Sequence, residues 1–93
     1  MEDFEFEWDD EKAGGNFKKH GVSFDEGATI FNDPRIATIL DPDHSKDEER
    51  SVSMGVSVEG RLLVLIHVVR EGRIRVISCR KATKAERKNY EKD

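Results

Sequence analysis

The feature that most constrains the fold is an apolar run, LLVLIHVV, at residues 62–69. It shows no polar alternation, so it is typical of a central strand that is covered on both faces. Two turn sequences of the same form flank it, VEGR at 58–61 and REGR at 70–73, and glycine can supply the positive φ that each turn needs. These patterns predict a three-stranded antiparallel meander over residues 50–80.

The register of this meander depends on the turns. If both are two-residue loops, Val58 lies opposite Arg61 and Arg70 lies opposite Arg73, and alternation then divides the side chains between two faces. The predicted core face carries Val52, Met54, Val56, Val58, Leu63, Leu65, His67, Val69, Ile74 and Val76. The predicted open face carries Ser51, Ser53, Gly55, Ser57, Leu62, Val64, Ile66, Val68, Arg70, Arg73, Arg75, Ile77 and Cys79. A three-residue turn with a bulge at Gly60 would instead place the serines opposite leucines, so the two-residue loops are preferred.

The first half of the chain predicts short elements. Alternation over residues 4–8 indicates a strand, and Asp9 is a predicted N-cap for a helix that ends before Gly21, with Phe17 as its anchor in the core. The sequence SFDE at 23–26 is a capping box for a second helix. Residues 36–40 predict a strand, and 41–47 a polar loop, where a solvated loop is preferred over a metal site.

A second capping box, TKAE at 83–86, predicts a helix that continues through Tyr90. The expected fold is therefore α+β, a single small domain over residues 1–93. Its antiparallel sheet combines the meander with one or two N-terminal strands, and it carries two N-terminal helices and one C-terminal helix. The lone Cys79, the acidic start and the lack of a membrane-length apolar run predict a cytoplasmic protein without membrane association.

Charge is divided unevenly along the chain. Residues 1–49 contain 5 Lys and Arg against 15 Asp and Glu, whereas residues 50–93 contain 11 against 5. The basic half suggests a polyanionic partner such as nucleic acid. The alternative is that the two halves screen each other within the fold.

Four stretches resemble the BrnT family of ribonuclease toxins from type II toxin–antitoxin modules. They are FEWDDEKAGGNFKKHGVSFDEG at 6–27, EERSVSMG at 48–55, GRLLVLIH at 60–67 and RIRVISCRKATKAERKNYE at 73–91. The resemblance implies a RelE-like fold with helices against one sheet face, RNA as substrate and no cofactor. It also implies neutralisation by a BrnA-type antitoxin, with operator DNA bound only through the toxin–antitoxin complex.

RNA cleavage without a metal needs a base for the 2′-hydroxyl, cations for the phosphate and an acid for the leaving 5′-oxygen. No metal-ligand spacing is evident, and RelE-like sites rely on Arg and Lys. The candidate catalytic residues are His20, Glu49, Arg75 and Arg80. The candidate RNA-binding residues are Lys19, Arg50, Arg70, Arg73, Lys81, Arg87 and Tyr90.

Several of these residues also have purely structural interpretations. His20 can cap a helix C-terminus, and Glu49 can form an ion pair with Arg50 or Arg80. Strict alternation places Arg80 on the core side, unless the strand ends before it. Tyr90 can be a core residue, a satisfied buried role is favoured for His67, and Cys79 has no evident activating histidine.

Two other functions remain open beside the ribonuclease. The net charge of −4 is unusual for a toxin that binds RNA, so the chain can instead be an antitoxin-binding partner with little catalysis. The third possibility is a protein that binds nucleic acid through its basic half without cleaving it.

Overall fold

A computed structural model describes residues 4–41 and 48–92. The strands are β1 (Phe6–Glu7), β2 (Ala37–Leu40), β3 (Arg50–Val56), β4 (Leu62–Arg70) and β5 (Arg73–Lys81). They form a five-stranded mixed sheet in the order β1-β5-β4-β3-β2, in which β1 is parallel to β5 and the other pairs are antiparallel. The helices are α1 (Asp10–His20), α2 (Phe24–Ala28) and α3 (Lys84–Tyr90), and a 3-10 turn at Thr29–Asn32 follows α2. The α+β class and the central position of β4 are as predicted, whereas the predicted loop 41–47 lies, after Asp41, outside the described residues.

The first hairpin differs from the predicted register by one residue. Val56 lies opposite Leu62, the Ser57 N–H donates to the Arg61 carbonyl at 2.9 Å, and Gly60 has φ 81. This is the three-residue turn with Gly60 in the left-handed region, so the preference for a two-residue loop was wrong. Because side chains alternate, the shift exchanges the faces of β3. Ser53 and Ser57 are buried on the core side, and Val52, Met54 and Val56 lie on the other face.

The second hairpin confirms the predicted pairing of Arg70 with Arg73, and both loop residues have positive φ. A β-bulge follows, however, because Ile66 lies opposite Ser78 but His67 lies opposite Val76, which leaves Ile77 as the extra residue. The bulge reverses the alternation beyond it. Cys79 therefore lies in the core, and Arg80 lies on the opposite face, the same face as Arg75, the reverse of both predictions.

The helices occupy both faces of the sheet, not one face as the resemblance implied. α1 and α2 contact β4 and β5 on the face that we call the helix face. α3 lies on the opposite face, where Glu86 and Asn89 line a cavity of about 200 Å³ with residues of β2, β3 and β4. None of the helices within 4–41 and 48–92 is long and apolar enough to span a bilayer.

The core lies on the helix face. Its buried members are Val22, Phe24, Ile30, Leu63, Leu65, Val76 and Cys79. Phe17 was predicted to anchor α1, but it is 56% exposed. Asn16 anchors the helix instead, since its amide donates to the Cys79 and Val22 carbonyls and accepts from the Cys79 N–H. Asn16 thereby satisfies the edge of β5 where no strand pairs with it.

The predicted helix caps are largely confirmed. The Asp9 carboxylate accepts from two N–H groups of α1, and Gly21 ends this helix in the left-handed conformation. Ser23 caps α2, but Glu26 does not complete the reciprocal capping box, because its carboxylate binds Arg61. The capping box of Thr83 and Glu86 in α3 is complete.

Two glycine-to-alanine substitutions should change stability in opposite directions. A Cβ at Gly27 would lie 2.8 Å from both the Cys79 sulfur and a Leu65 methyl group, and both side chains are fully buried. We expect Gly27→Ala to lower the free energy of unfolding by about 1–3 kcal/mol. A Cβ at Gly14 would have nothing within 4 Å, so Gly14→Ala should raise the free energy of unfolding by about 0.5–1 kcal/mol. Chemical denaturation measures both, and equal effects would contradict the tight packing of α2.

Candidate functional site

The sheet face opposite α1 and α2 collects five arginines, and we call it the arginine face. The pairing register places on it Arg50, Arg70, Arg73, Arg75 and Arg80. Arg50, Val68 and Arg75 form one row across β3, β4 and β5, and Arg70 and Arg73 form the row beside it. Four guanidinium groups therefore share one end of the face, which the meander in the sequence predicted in part.

Carboxylates accompany these arginines. Arg70 forms a two-bond pair with Glu48, with N···O distances of 2.6 and 2.7 Å. β1 brings two further acids to the edge of β5. Glu5 lies 3.3 Å from Arg73, and Glu7 lies 3.4 Å from Arg75. We call this group, formed by Arg50, Arg70, Arg73, Arg75, Glu5, Glu7 and Glu48, the arginine–carboxylate cluster.

Most of this cluster is open to solvent. The side chains of Arg70 and Arg73 are 48% and 52% exposed, and that of Glu48 is 39% exposed. The Arg70 guanidinium lowers the pKa of Glu48, so this carboxylate is ionised at neutral pH. Exposed ion pairs contribute little net free energy, typically about 0–1 kcal/mol. A phosphate group can therefore replace these carboxylates at low cost.

Arg80 lies at the other end of the arginine face. Its two terminal nitrogens each lie 2.8 Å from a Glu86 oxygen, and Glu86 also accepts from the Thr83 N–H. The pair lowers the pKa of Glu86 to about 2, with Arg80 as the main cause. Arg80 thus attaches the N-terminal turn of α3 to β5, and the sheet separates it from the arginine–carboxylate cluster by the apolar row of Val52 and Ile66.

Tyr90 attaches the other end of α3. Its hydroxyl donates a hydrogen bond to Asp33, whose carboxylate also accepts from the Val56 N–H at 2.8 Å. The Arg35 guanidinium lies 5.5 Å from the centre of the Tyr90 ring. Tyr90 therefore attaches the C-terminal end of α3 to Asp33 and Arg35, and its role in RNA binding stays a prediction.

The remaining candidates lie apart from the cluster. His20 is half-buried at the end of α1, and Lys19 beside it is exposed. Lys81 lies opposite Leu63, whose side chain is on the helix face, and Arg87 is 53% exposed with Glu91 at 3.7 Å. Glu49 is exposed, one residue before β3. Their proposed catalytic and RNA-binding roles stay predictions.

Glu48, Glu5 and Glu7 are the cluster members that the sequence reasoning missed. The sequence contained part of the signal for each. Glu48 precedes Arg50 by two residues, so an extended chain places both on one face. Glu5 and Glu7 alternate with phenylalanines in the predicted strand, so both were expected on its polar face, but the parallel pairing of β1 with β5 had no local signal.

Two buried groups on the helix face are unsuited to the chemistry. Burial raises the pKa of Cys79 to about 12, so its thiol is not a nucleophile at neutral pH. His67 is 5% exposed, and its Nε2 lies 2.8 Å from the Ser53 hydroxyl, which in turn lies 2.7 Å from that of Thr38. The favoured interpretation of His67 as a satisfied buried histidine holds for Nε2, whereas Nδ1 has no hydrogen-bond partner among the described residues.

His67 should make the protein sensitive to acid. Burial lowers its pKa, so the folded protein resists protonation at this site, whereas the unfolded chain takes up a proton near pH 6.5. The contribution of His67 to the free energy of unfolding should therefore be fully present above about pH 6.5. It should decrease as the pH falls toward the folded-state pKa, by at most about 1.4 kcal/mol per pH unit. Denaturation curves between pH 7.5 and 5 measure this loss. His67→Gln, which stays neutral, should show a smaller loss, and identical slopes would contradict the assignment.

Within 4–41 and 48–92, no three His, Cys, Asp or Glu side chains converge in a way that could hold a metal ion. The polar groups that do converge on the arginine face are guanidinium groups paired with carboxylates, and the guanidinium groups are the ones that suit a phosphate backbone.

Comparisons with known proteins show which family and which fold the chain is similar to. Residues 8–86 match the family model described as the ribonuclease toxin BrnT of a type II toxin–antitoxin system. The fold is similar to the crystal structure of the Brucella abortus ribonuclease toxin BrnT, with a TM-score of 0.64 and 21% sequence identity. That alignment covers 88% of this chain and 100% of the Brucella chain. A search of curated protein sequences found no match.

Proposed function

The chain belongs to the BrnT family of ribonuclease toxins from type II toxin–antitoxin systems, and from this premise we propose that it cleaves RNA at the arginine face without a metal ion. The observation that carries the proposal is the row of Arg50 and Arg75 across three strands, with Arg70 and Arg73 in the next row. A flat sheet face with four guanidinium groups can hold successive phosphates of a single strand.

In this proposal the phosphate of the scissile bond binds Arg75 and displaces Glu7. Arg75 is better placed than Arg70 and Arg73, because its side chain is 28% exposed, against 48% and 52%, and so is partly shielded from bulk water, where charge interactions are weaker. Arg50 and Arg70 then stabilise the negative charge that develops on the phosphate in the transition state.

The general base is proposed to be a carboxylate, and Glu48 is better placed for this role than Glu49. Glu48 forms its ion pair within the cluster, whereas Glu49 is exposed and makes no ion pair with a described residue. When RNA phosphate binds Arg70, the Glu48 carboxylate loses its partner and becomes more basic. His20 and Tyr90 remain candidate proton donors, and Arg80 is proposed to position α3.

A cognate protein antitoxin of the BrnA type is proposed to neutralise the toxin, and operator DNA is proposed to bind only to the complex. The apolar cavity beside α3, which is lined by Val52, Met54 and Val64, is available for such a partner. We further propose a RelE-like relationship for the fold, with RNA rather than DNA as the substrate, and a cytoplasmic site of action.

Induced expression in a bacterium, with and without the neighbouring gene, tests this function. Growth arrest by this chain alone, with rescue by the neighbouring gene, is the expected result. Purified protein should also cleave RNA in the presence of EDTA. Cleavage that requires an added divalent ion would overturn the metal-independent mechanism but leave the ribonuclease activity intact.

The alternative function is an antitoxin-binding protein with little catalysis. The pairing of Arg70, Arg73 and Arg75 with carboxylates favours it, because each pair reduces the charge available to RNA. This alternative predicts a stable complex with the antitoxin but neither growth arrest nor RNA cleavage.

A further inference from the structure

β2 forms one edge of the sheet, and it lacks the usual protection of an edge strand. All four of its residues are exposed, with Ile39 at 67% and Leu40 at 54%. Natural edge strands usually carry a charge, a proline or a bulge that prevents pairing with another chain. The sequence ATIL of β2 contains neither charge nor proline, and its four residues pair with β3 without a break in register. This edge can therefore accept a further strand.

The pattern of hydrogen bonds shows which backbone groups are available. The Asp41 N–H donates to the Arg50 carbonyl at 2.7 Å, so the backbone N–H and C=O groups of Asp41, Ile39 and Ala37 point toward β3. Alternation then directs the N–H and C=O groups of Thr38 and Leu40 outward. The carbonyl of Ile36 follows the same alternation, while its N–H donates to the Asp33 carbonyl at 3.1 Å.

We propose that β2 pairs antiparallel with β2 of a second copy of this chain, about a two-fold axis at Thr38. The two Thr38 residues then exchange a reciprocal pair of N–H···O bonds. On either side, the Leu40 N–H of each copy donates to the Ile36 carbonyl of the other. The outward donors and acceptors of this edge thus match those of an identical edge in this register.

The side chains are complementary in the same register. Ala37 of each copy lies opposite Ile39 of the other, so a small side chain accommodates a large one. Arg35, in the turn before β2, lies beside Asp41 of the other copy, and the symmetry forms this charge pair twice. This self-complementarity in shape and charge identifies a second copy, rather than an unrelated strand, as the occupant.

The pairing has a defined size and geometry. A four-residue strand is shorter than most, so the interface is small and the dimer is weak and dependent on concentration. The two-fold axis is perpendicular to the sheet, so the arginine faces of both copies lie on the same side of one continuous ten-stranded sheet, five strands from each copy. The dimer does not depend on RNA cleavage, so it is tested separately from the proposed function.

Charge-changed variants of the full chain test the register. Arg35→Asp opposes two acids at each end of the interface, and Asp41→Arg opposes two arginines. In sedimentation velocity over a concentration series, each variant alone should raise the dimer Kd by about tenfold or more. An equimolar mixture of the two variants restores both charge pairs, and it should form a heterodimer about as tight as the wild-type dimer.

Hydrogen exchange of the wild-type protein gives an independent readout. The Thr38 and Leu40 amides should gain protection as protein concentration rises, while other edge amides should not. A wild-type protein that stays monomeric at millimolar concentration overturns the proposal, as does a dimer that neither variant weakens or a mixture that does not associate. Protection of the two amides only on addition of the antitoxin assigns the edge to the antitoxin and also overturns the second-copy pairing.

Discussion

Replacing Arg75 with alanine is expected to lower RNA cleavage by the purified protein about 100-fold, which is the usual loss when one group that stabilises a developing negative charge is removed. Arg75 lies in the row that joins β3, β4 and β5, and its ion pair with Glu7 is long, at 3.4 Å, and partly exposed. The loss of such a pair costs about 1 kcal/mol or less. The melting temperature should therefore change by only a few degrees, so a loss of cleavage would report on chemistry and not on unfolding.

Two variants serve as controls for Arg75→Ala. Lys12→Ala removes an exposed cation on α1, on the side of the sheet opposite the arginine face, and cleavage should stay within about twofold of wild type. Glu48→Gln removes a carboxylate that competes with phosphate for Arg70, so the protein should bind an uncleavable 2′-O-methyl RNA more tightly. If Glu48 is also the base, the same variant should cleave normal RNA more slowly. Unchanged cleavage by a folded Arg75→Ala protein would exclude Arg75 from the mechanism.

The structure makes Arg80 a poorer choice for the first mutation than the sequence suggests. The sequence makes Arg80 a candidate catalytic residue. The structure shows that Arg80 binds both oxygens of Glu86, the acid of the α3 capping box. Removal of Arg80 therefore loosens the start of α3, and lost cleavage would have two explanations.

The sequence predicted the class of fold because its signals were local. The apolar run of β4, the REGR turn and the caps at Asp9 and Thr83 each depend on residues close together in the chain. The register of β3 depended on whether the turn at Gly60 has two residues or three, and glycine is compatible with both turn types. Buried serines on a core face seemed unfavourable, but Ser57 is satisfied by Glu26, a residue 31 positions away. No local pattern could reveal that partner.

The candidate site was predictable to a similar extent. The arginines of the 70–75 hairpin were placed together correctly, since a two-residue turn fixes their pairing. The sequence placed Arg80 and Cys79 on the wrong faces of the sheet, because no glycine or other marker in it indicates the bulge at Ile77. The acids of the cluster come from β1 and its neighbour Glu5 and from the residues before β3, and only tertiary packing brings Glu7 to Arg75 and Glu48 to Arg70.

Arg61→Ala is expected to cause a larger loss of stability than the removal of an exposed arginine, because it leaves a half-buried carboxylate without its cation. The Arg61 guanidinium binds both oxygens of Glu26, with Nε at 2.9 Å from one of them, and it also donates to the Gly21 carbonyl at 3.3 Å. The Glu26 side chain is only 10% exposed, and Arg61 is the main reason that its pKa is lowered. Arg61 thereby connects the turn between β3 and β4 to the start of α2.

The matched control for Arg61→Ala is Arg70→Ala, which removes the same side chain from a pair of the same two-bond geometry. The side chains of Arg70 and Glu48 are 48% and 39% exposed, so water can solvate the remaining carboxylate, and the loss of stability should be much smaller. Glu26→Gln in the Arg61→Ala background should recover part of the stability at pH 7, since a neutral amide is less costly to bury than a carboxylate. Urea denaturation of the four proteins measures each effect. Equal losses for Arg61→Ala and Arg70→Ala would show that burial of Glu26 does not control the energy of its ion pair, and that the turn is held mainly by its backbone hydrogen bonds.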